Sequence, residues 1–249
     1  NVAQIVSEVR GARRERGNMT PLYFHLDAAQ AAGILDLNVA RLGVDLMSIS
    51  AAKCYGPKQV GALFVRAGVK LRPVVFGGGQ EHGLRSGTEN VAGAIGFAKA
   101  LEIAEKKRKS ETKRLAKIRS RFVVYLHEKF DDDGLEINGA RKNQSPAILN
   151  FSLPHLDGER AVFALDQRGI FVSTGSACAA NAGVRSHVLL GCGLSNEMVD
   201  GSLRLSFGRG LTEEMVDKIL PILGQTLREQ LKFGQETTAE KFKFDKVAK

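Results

Sequence analysis

Two short apolar runs, each closing on a residue suited to chemistry, constrain this chain more than any other feature. YFHLDAAQ carries Asp27 at the end of a stretch that reads as a buried strand, and LMSISAAKCYGPK carries Lys53 just past the end of the next. Between them, Ala29 to Leu42 mostly follow helical spacing. That order places both strands in one parallel sheet of an α/β fold, with Asp27 and Lys53 delivered to the same edge.

The alternation continues. Val2 to Arg16 reads as a helix, Leu22 to Leu26 and Leu46 to Ile49 as strands, and Val60 to Val65 as a third strand. After the glycine-rich FGGGQEHGLRSGTEN comes a long helical pattern from Val91 to about Phe130, dense in charge at its middle and ended by a turn at Asp131 to Gly134. We place a domain boundary inside that helix near Arg108, giving domains 1–108 and 109–249. The second domain reads as strands at Leu135 to Asn138 and Ala147 to Leu153, a helix over Gly158 to Arg168 and a strand at Phe171 to Ser173. A small-residue loop, a strand over Ser202 to Phe207 and a helix from Thr212 to about Phe233 complete it. Thr212 is placed to cap that last helix.

The chain has 249 residues, 43% of them hydrophobic, and no apolar run near the roughly 18 residues that span a bilayer. A soluble globular protein with no membrane role is expected. The net charge of +9 raises nucleic acid, but the excess lies largely in Lys106 to Arg121 and in Lys241 to Lys249, which read as solvated helix faces. With no Trp and three Tyr there is no stacking platform for bases, and no nucleic-acid partner is expected. Cys54, Cys178 and Cys192 form no CxxC pair and leave an odd count, against both a disulfide framework and a zinc or other metal site; a cytoplasmic setting follows.

A lysine and an acid at one sheet edge suit pyridoxal 5'-phosphate. Lys53 would form its Schiff base, and Asp27 would keep the pyridine nitrogen protonated so that the ring accepts electrons. Taken singly, a helix-capping Asp27 and a solvated Lys53 are the simpler explanations; together they favour the cofactor. Gln30 could donate to the ring phenolate, and Ser48 and Ser50 flank the strand end where a phosphate would rest. The glycines of GGGQEHGLRSGT, with Thr88, suggest a backbone nest for an anion.

STGSACAANAG, residues 173–183, surrounds Cys178 with small residues, a composition that suits a moving thiol nucleophile. The alternative is a structural turn around a small buried cysteine. Arg204 alternates with Leu203 and Leu205 on a strand and so faces away from them, where it could clamp an amino-acid carboxylate or merely face water. Cys192 reads as packing at the end of an apolar helix, and Cys54 has no separate role.

HLDAAQ, SISAAKCYGPKQVGALFVR, GGGQEHGLRSGT, STGSACAA and SLRLSFGR occur in that order, and over roughly residues 1 to 230 the chain resembles the NifS/IscS-type cysteine desulfurases. The resemblance implies a type I PLP-dependent transferase fold: a truncated large domain with a mixed, mostly parallel sheet, plus a smaller α+β C-terminal domain. It makes Lys53 the cofactor lysine, Asp27 the pyridine partner, Gln30 the phenolate contact and Ser50 a phosphate ligand, with Thr88 reaching the phosphate of a neighbouring subunit in a homodimer. Arg204 would bind the substrate carboxylate. Cys178 would take sulfur from L-cysteine as a persulfide, releasing L-alanine, and pass it to an acceptor or scaffold protein for iron–sulfur clusters or tRNA thiolation. The setting of Cys178 resembles the long-loop group. Ala52 stands where the family has a histidine, which predicts a modest loss of cofactor affinity. The family's N-terminal Gly-Thr turn, ring-stacking histidine and phenolate asparagine precede the first residue here, so the chain alone is expected to be inactive. Another aminotransferase or lyase of the same fold, or a non-catalytic truncated chain, are the alternatives.

Overall fold

The computed structural model describes residues 1–140, 142–175 and 185–247, the stretch 236–247 as backbone only. The chain divides into two compact units, Asn1–Ser110 and Glu111–Lys249.

In the first unit, helix α1 (Val2–Glu15) starts at Asn1, whose side chain accepts from the Gln4 amide, and ends with Arg13 and Arg14, cations favoured at a helix C-terminus. The sheet orders β1 (His25–Asp27), β2 (Leu46–Ser50) and β3 (Gly61–Val65) in sequence. β1 and β2 run parallel with Asp27 opposite Ser48; β2 and β3 run antiparallel from Leu46 against Val65 to Ser50 against Gly61. The sheet is therefore mixed. Val6 of α1 packs with Ala28, Val44 and Met47 on it, and Phe97 and Ala104 of α3 (Val91–Phe130) pack with Ala32, Ala51 and Cys54. A Cβ at Gly96 would lie 2.8 Å from Pro57 Cγ, so glycine lets this helix approach closely.

Two sequence expectations contract. The helix expected over Ala29 to Leu42 is reduced to α2 (Val39–Leu42), with turns before it. Gly33 at φ 77° breaks the helical run, and the Asp36 carboxylate draws off the Asn38 amide at 3.0 Å. β1 begins at His25 rather than Leu22, because the Phe24 amide donates to the buried Asp45 carboxylate at 2.9 Å.

In the second unit, Leu115, Ile118, Phe122, Leu126 and Phe130 recur at helical spacing along α3, all buried. The antiparallel sheet is β4 (Glu136–Ile137), β5 (Ile148–Ser152) and β6 (Ser202–Ser206), in that order. Leu149 and Phe151 of β5 and Leu203 and Leu205 of β6 are buried. α4 (Gly158–Asp166) follows β5; the short helices α5 (His187–Gly191) and α6 (Asn196–Asp200) precede β6; α7 (Glu213–Val247) ends the chain. Thr212 caps α7, its hydroxyl accepting from the Met215 amide at 3.2 Å. The strand expected over Phe171 to Ser173 narrows to a single bridge between Ser173 and Arg204.

Candidate functional site

Parallel strands β1 and β2 bring Asp27 and Lys53 to the same sheet edge. Asp27 closes β1, and Lys53 lies on a turn of 3-10 helix, Ala51–Cys54, that begins directly after β2. In open α/β sheets, the carboxyl ends of the strands are where ligands bind. Lys53 is exposed at this edge, while Ala51 and Cys54 on either side of it are buried and hold the turn down. Tyr55 closes the turn in the left-handed region, φ 67°, and the Gly56 amide returns to the Ala51 carbonyl at 2.8 Å. A non-glycine residue held in that conformation is a local cost that surrounding structure must sustain.

The Asp27 carboxylate accepts at Oδ1 from the Ala29 amide, 3.0 Å, and from the Ser48 hydroxyl, 3.5 Å. Among the described residues both hydrogen bonds fall on Oδ1, so Oδ2 is available to a further donor. Ser50 is half-buried at the strand end and makes no capping bond with its side chain. Gln30 is exposed in the turns following Asp27, and Thr88 is exposed ahead of α3. The glycines of residues 77–87, expected to form an anion nest, lie in a loop tied in part by its own hydrogen bonds. Gly79 N donates to Ser86 Oγ at 3.2 Å, Gly87 N to Gln80 Oε1 at 3.0 Å, the amides of residues 83–85 to carbonyls of residues 79–81, and the Ser86 amide to the Val75 carbonyl.

The second unit holds Arg204. It lies at the centre of β6, half-buried, on the face opposite Leu203 and Leu205 as its alternation requires. Its backbone exchanges two hydrogen bonds with Ser173, 2.6 and 3.3 Å. Its Nε is buried and, among the described residues, has no acceptor. Cys178 lies outside the described residues. Cys192, expected to pack, is exposed instead: α5 is only five residues long, and Cys192 caps it rather than reaching a core. Cys54 is buried, its thiol 3.4 Å from the Ala51 carbonyl oxygen. Among the described residues no group of three or more His, Cys, Asp or Glu is arranged to hold a metal ion, and no helix is long and apolar enough to cross a membrane.

Sequence reasoning missed two polar groups. Asp45 gathers Arg10, Arg66 and the Phe24 amide at the amino end of β2. Asn138 and Asn150 form an amide pair beside Arg204 in register. The second had a signal: Asn150 is the polar residue in ILNFS, between two buried apolar ones.

The family described as Aminotransferase class-V matches residues 5–219. The chain is 42% identical over 211 residues to a cysteine desulfurase IscS of Clostridium botulinum, spanning 84% of this chain and 53% of that protein. It is 44% identical over 202 residues to the IscS of Dictyoglomus turgidum, 81% of this chain and 51% of that one. Among solved structures, a NifS-like protein superposes with a TM-score of 0.75 at 34% identity, covering 87% of this chain and 55% of that one. A NifS-like protein of Rickettsia africae, at 24% identity and a TM-score of 0.77, shares the fold. The chain thus spans about half the length of the curated relatives it matches. Its fold is that of the type I PLP-dependent transferases, and the chain belongs to the class-V aminotransferase family.

Proposed function

We propose that the protein is a PLP-dependent cysteine desulfurase, taking sulfur from L-cysteine and leaving L-alanine. The observation that carries this reading is the placement of Lys53 and Asp27 at the carboxyl ends of adjacent parallel strands, in a chain whose relatives bear that name. The donor set fits pyridoxal phosphate: an exposed amine, a carboxylate with one oxygen available, and serine hydroxyls at the strand ends. When bound, the cofactor supplies a sink for negative charge developing at the substrate's α-carbon.

Lys53 Nζ would hold the cofactor and then carry a proton to and from the α-carbon. Asp27 Oδ2 would hold the proton at the ring nitrogen, while Gln30, Ser50 and Thr88 would donate to the phenolate and phosphate. Arg204 would bind the carboxylate, and its buried Nε–H without an acceptor supports that role. Cys178 as thiolate would attack the substrate sulfur, breaking the carbon–sulfur bond. The sulfur remains on Cys178 as a persulfide and the carbon takes a proton, giving L-alanine. A sulfur-acceptor or scaffold protein would then receive it. Residues 1–108 would form the cofactor-binding domain and 109–249 the domain carrying the thiol, in a cytoplasmic homodimer.

In the full-length protein, borohydride reduction after loading should label Lys53, and exposure to cysteine should add one sulfur atom at Cys178 by mass. An aminotransferase of the same family would keep turnover in Cys178→Ala, whereas a desulfurase would lose sulfide release while retaining the bound-cofactor absorbance. Absence of label at Lys53 would overturn the reading.

A further inference from the structure

Register places a row of polar residues on one face of the second sheet. Asn138, just past β4, donates its amide to the Asn150 carbonyl at 2.9 Å; Asn150 on β5 faces Arg204 on β6; Arg204 is bridged to Ser173. Residues directly opposite in an antiparallel pair share a face, with Cβ atoms roughly 5 Å apart. On the other face Leu149, Phe151, Leu203 and Leu205 fill the core. The row is therefore a polar line on the face of the sheet opposite those apolar side chains, and Arg204 is a member of it.

The side chains fix one another's direction. Asn150 Nδ2 donates to the Leu203 carbonyl at 3.1 Å, so its Oδ1 must face Asn138, which donates Nδ2 to it at 2.6 Å. Asn138 Nδ2 also reaches Ser152 Oγ at 2.8 Å. Both amide donors are thus committed, and Asn138, only 9% exposed, has an Oδ1 with no donor among the described residues. A buried acceptor without a partner is destabilising, because it gives up its water and gains nothing in return. A chain that needed only core packing at this position would do better with an apolar side chain, so the pair has another use. That use is visible at Arg204. Asn150 holds the carbonyl just before it, Ser173 holds its own N–H and C=O, and no side chain on the row takes its buried Nε. The arginine is clasped on both sides through the backbone while part of its guanidinium is kept free for an outside acceptor.

We propose that Asn150, keyed by Asn138, is the positioning residue that holds Arg204 for recognition of the substrate carboxylate. This rests on the reading of Arg204 given above. Because Asn150 offers its donor to a carbonyl and its acceptor to Asn138, it is the residue on that face that leaves the guanidinium unclaimed. An aspartate there would keep the acceptor for Asn138 but present an anion directly opposite the arginine, competing with the substrate.

The test measures binding of L-alanine and of L-alaninamide, which lacks the carboxylate, to the cofactor-loaded full-length protein by the change in its absorbance. Wild type should prefer L-alanine. Asn150→Ala should weaken L-alanine about tenfold, close to 1.4 kcal/mol, and leave L-alaninamide unchanged; Asn150→Asp should weaken L-alanine further, with L-alaninamide again unaffected. Asn138→Ser, which shortens the key without opening a large cavity, should show the same selectivity loss in smaller degree. Equal losses for both ligands mean general damage and overturn the proposal, as does an Asn150→Asp variant that binds L-alanine like wild type. Arg204→Ala separates the two readings: if it does not abolish the preference for carboxylate, the assignment of Arg204 fails, whereas if it does while Asn150→Ala is silent, only the positioning role fails.

Discussion

Asp45 offers the sharpest test of what holds the first sheet together. Its side chain is 7% exposed and sits at the amino end of β2, where Oδ2 accepts from Arg10 at 2.8 Å and from the Phe24 amide at 2.9 Å, and Oδ1 lies 3.4 Å from Arg66 Nε. Three segments converge on one carboxylate: α1, the approach to β1, and the end of β3. Breaking a fully buried ion pair costs roughly 3–5 kcal/mol. Here both arginines are partly exposed, 31% and 41%, and Arg66 keeps the Val44 carbonyl at 2.8 Å, so each regains water or retains a partner. What remains is the Phe24 amide left without its acceptor, about 1–3 kcal/mol, plus roughly 1 kcal/mol for the screened pairs. Asp45→Ala should therefore destabilise by about 2–4 kcal/mol. Asp45→Asn keeps an acceptor for Phe24 and should lose only about 1 kcal/mol. Equilibrium urea unfolding, monitored together with hydrogen exchange of the β2 amides, measures both. The cofactor should still bind, because β2 spans five residues, on the order of 17 Å, between Asp45 and the Lys53 turn. Equal losses in the two variants would refute the assignment to the Phe24 amide, and a loss below about 1 kcal/mol in Asp45→Ala would refute the whole junction.

Three further outcomes follow from the second unit. A Cβ at Gly201 would collide with the Leu153 carbonyl oxygen and lie 3.1 Å from that of Leu156, both backbone atoms that cannot swing away; Gly201→Ala should cost at least 1–3 kcal/mol, roughly, seen as a lowered melting temperature. Hydrogen bonds first from Arg121 and then from Lys117 hold the Glu213 carboxyl below the usual carboxylate range. Its stabilisation is therefore present above roughly pH 4 and lost as pH falls through the depressed folded value, so Glu213→Gln should lower the melting temperature at neutral pH and converge with wild type in strong acid. Because Glu213 is exposed, added salt should shrink the neutral-pH difference; a difference that persists at low pH would show that charge is not its source. Leu149, fully buried on β5, should lose about 2–5 kcal/mol on change to alanine, and a smaller loss would mean the core collapses around the gap.

How far the sequence predicts this molecule depends on the range of the physics involved. The apolar spacing along α3 runs over residues 91–104 and resumes over 115–130, and both ends of that helix are readable because the charged residues between them, 105–114, carry no strand or turn signal. β2 and β6 are likewise readable, each with an apolar pattern one face deep and a partner to satisfy it. The helix expected over Ala29 to Leu42 fails for a local reason the sequence does contain: Gly33, Asp36 and Asn38 each offer the backbone an alternative to the helical ladder, and three such offers in six residues outweigh the spacing of the alanines and leucines. The glycine-rich segment is legible in composition but not in its contacts. Its composition suits an anion nest, but whether the amides stay open depends on Ser86 and Gln80 folding back on them, a contact seven residues away that composition does not encode. The candidate site divides along the same line. Asp27 and Lys53 are readable because strand ends place them, whereas the support of Arg204 is not, since Asn138 and Asn150 meet it only through register between strands distant in sequence. Residues proposed to do chemistry are carried by local pattern here, and residues proposed to aim them are carried by register, which is why a reading from sequence finds the first kind and passes over the second.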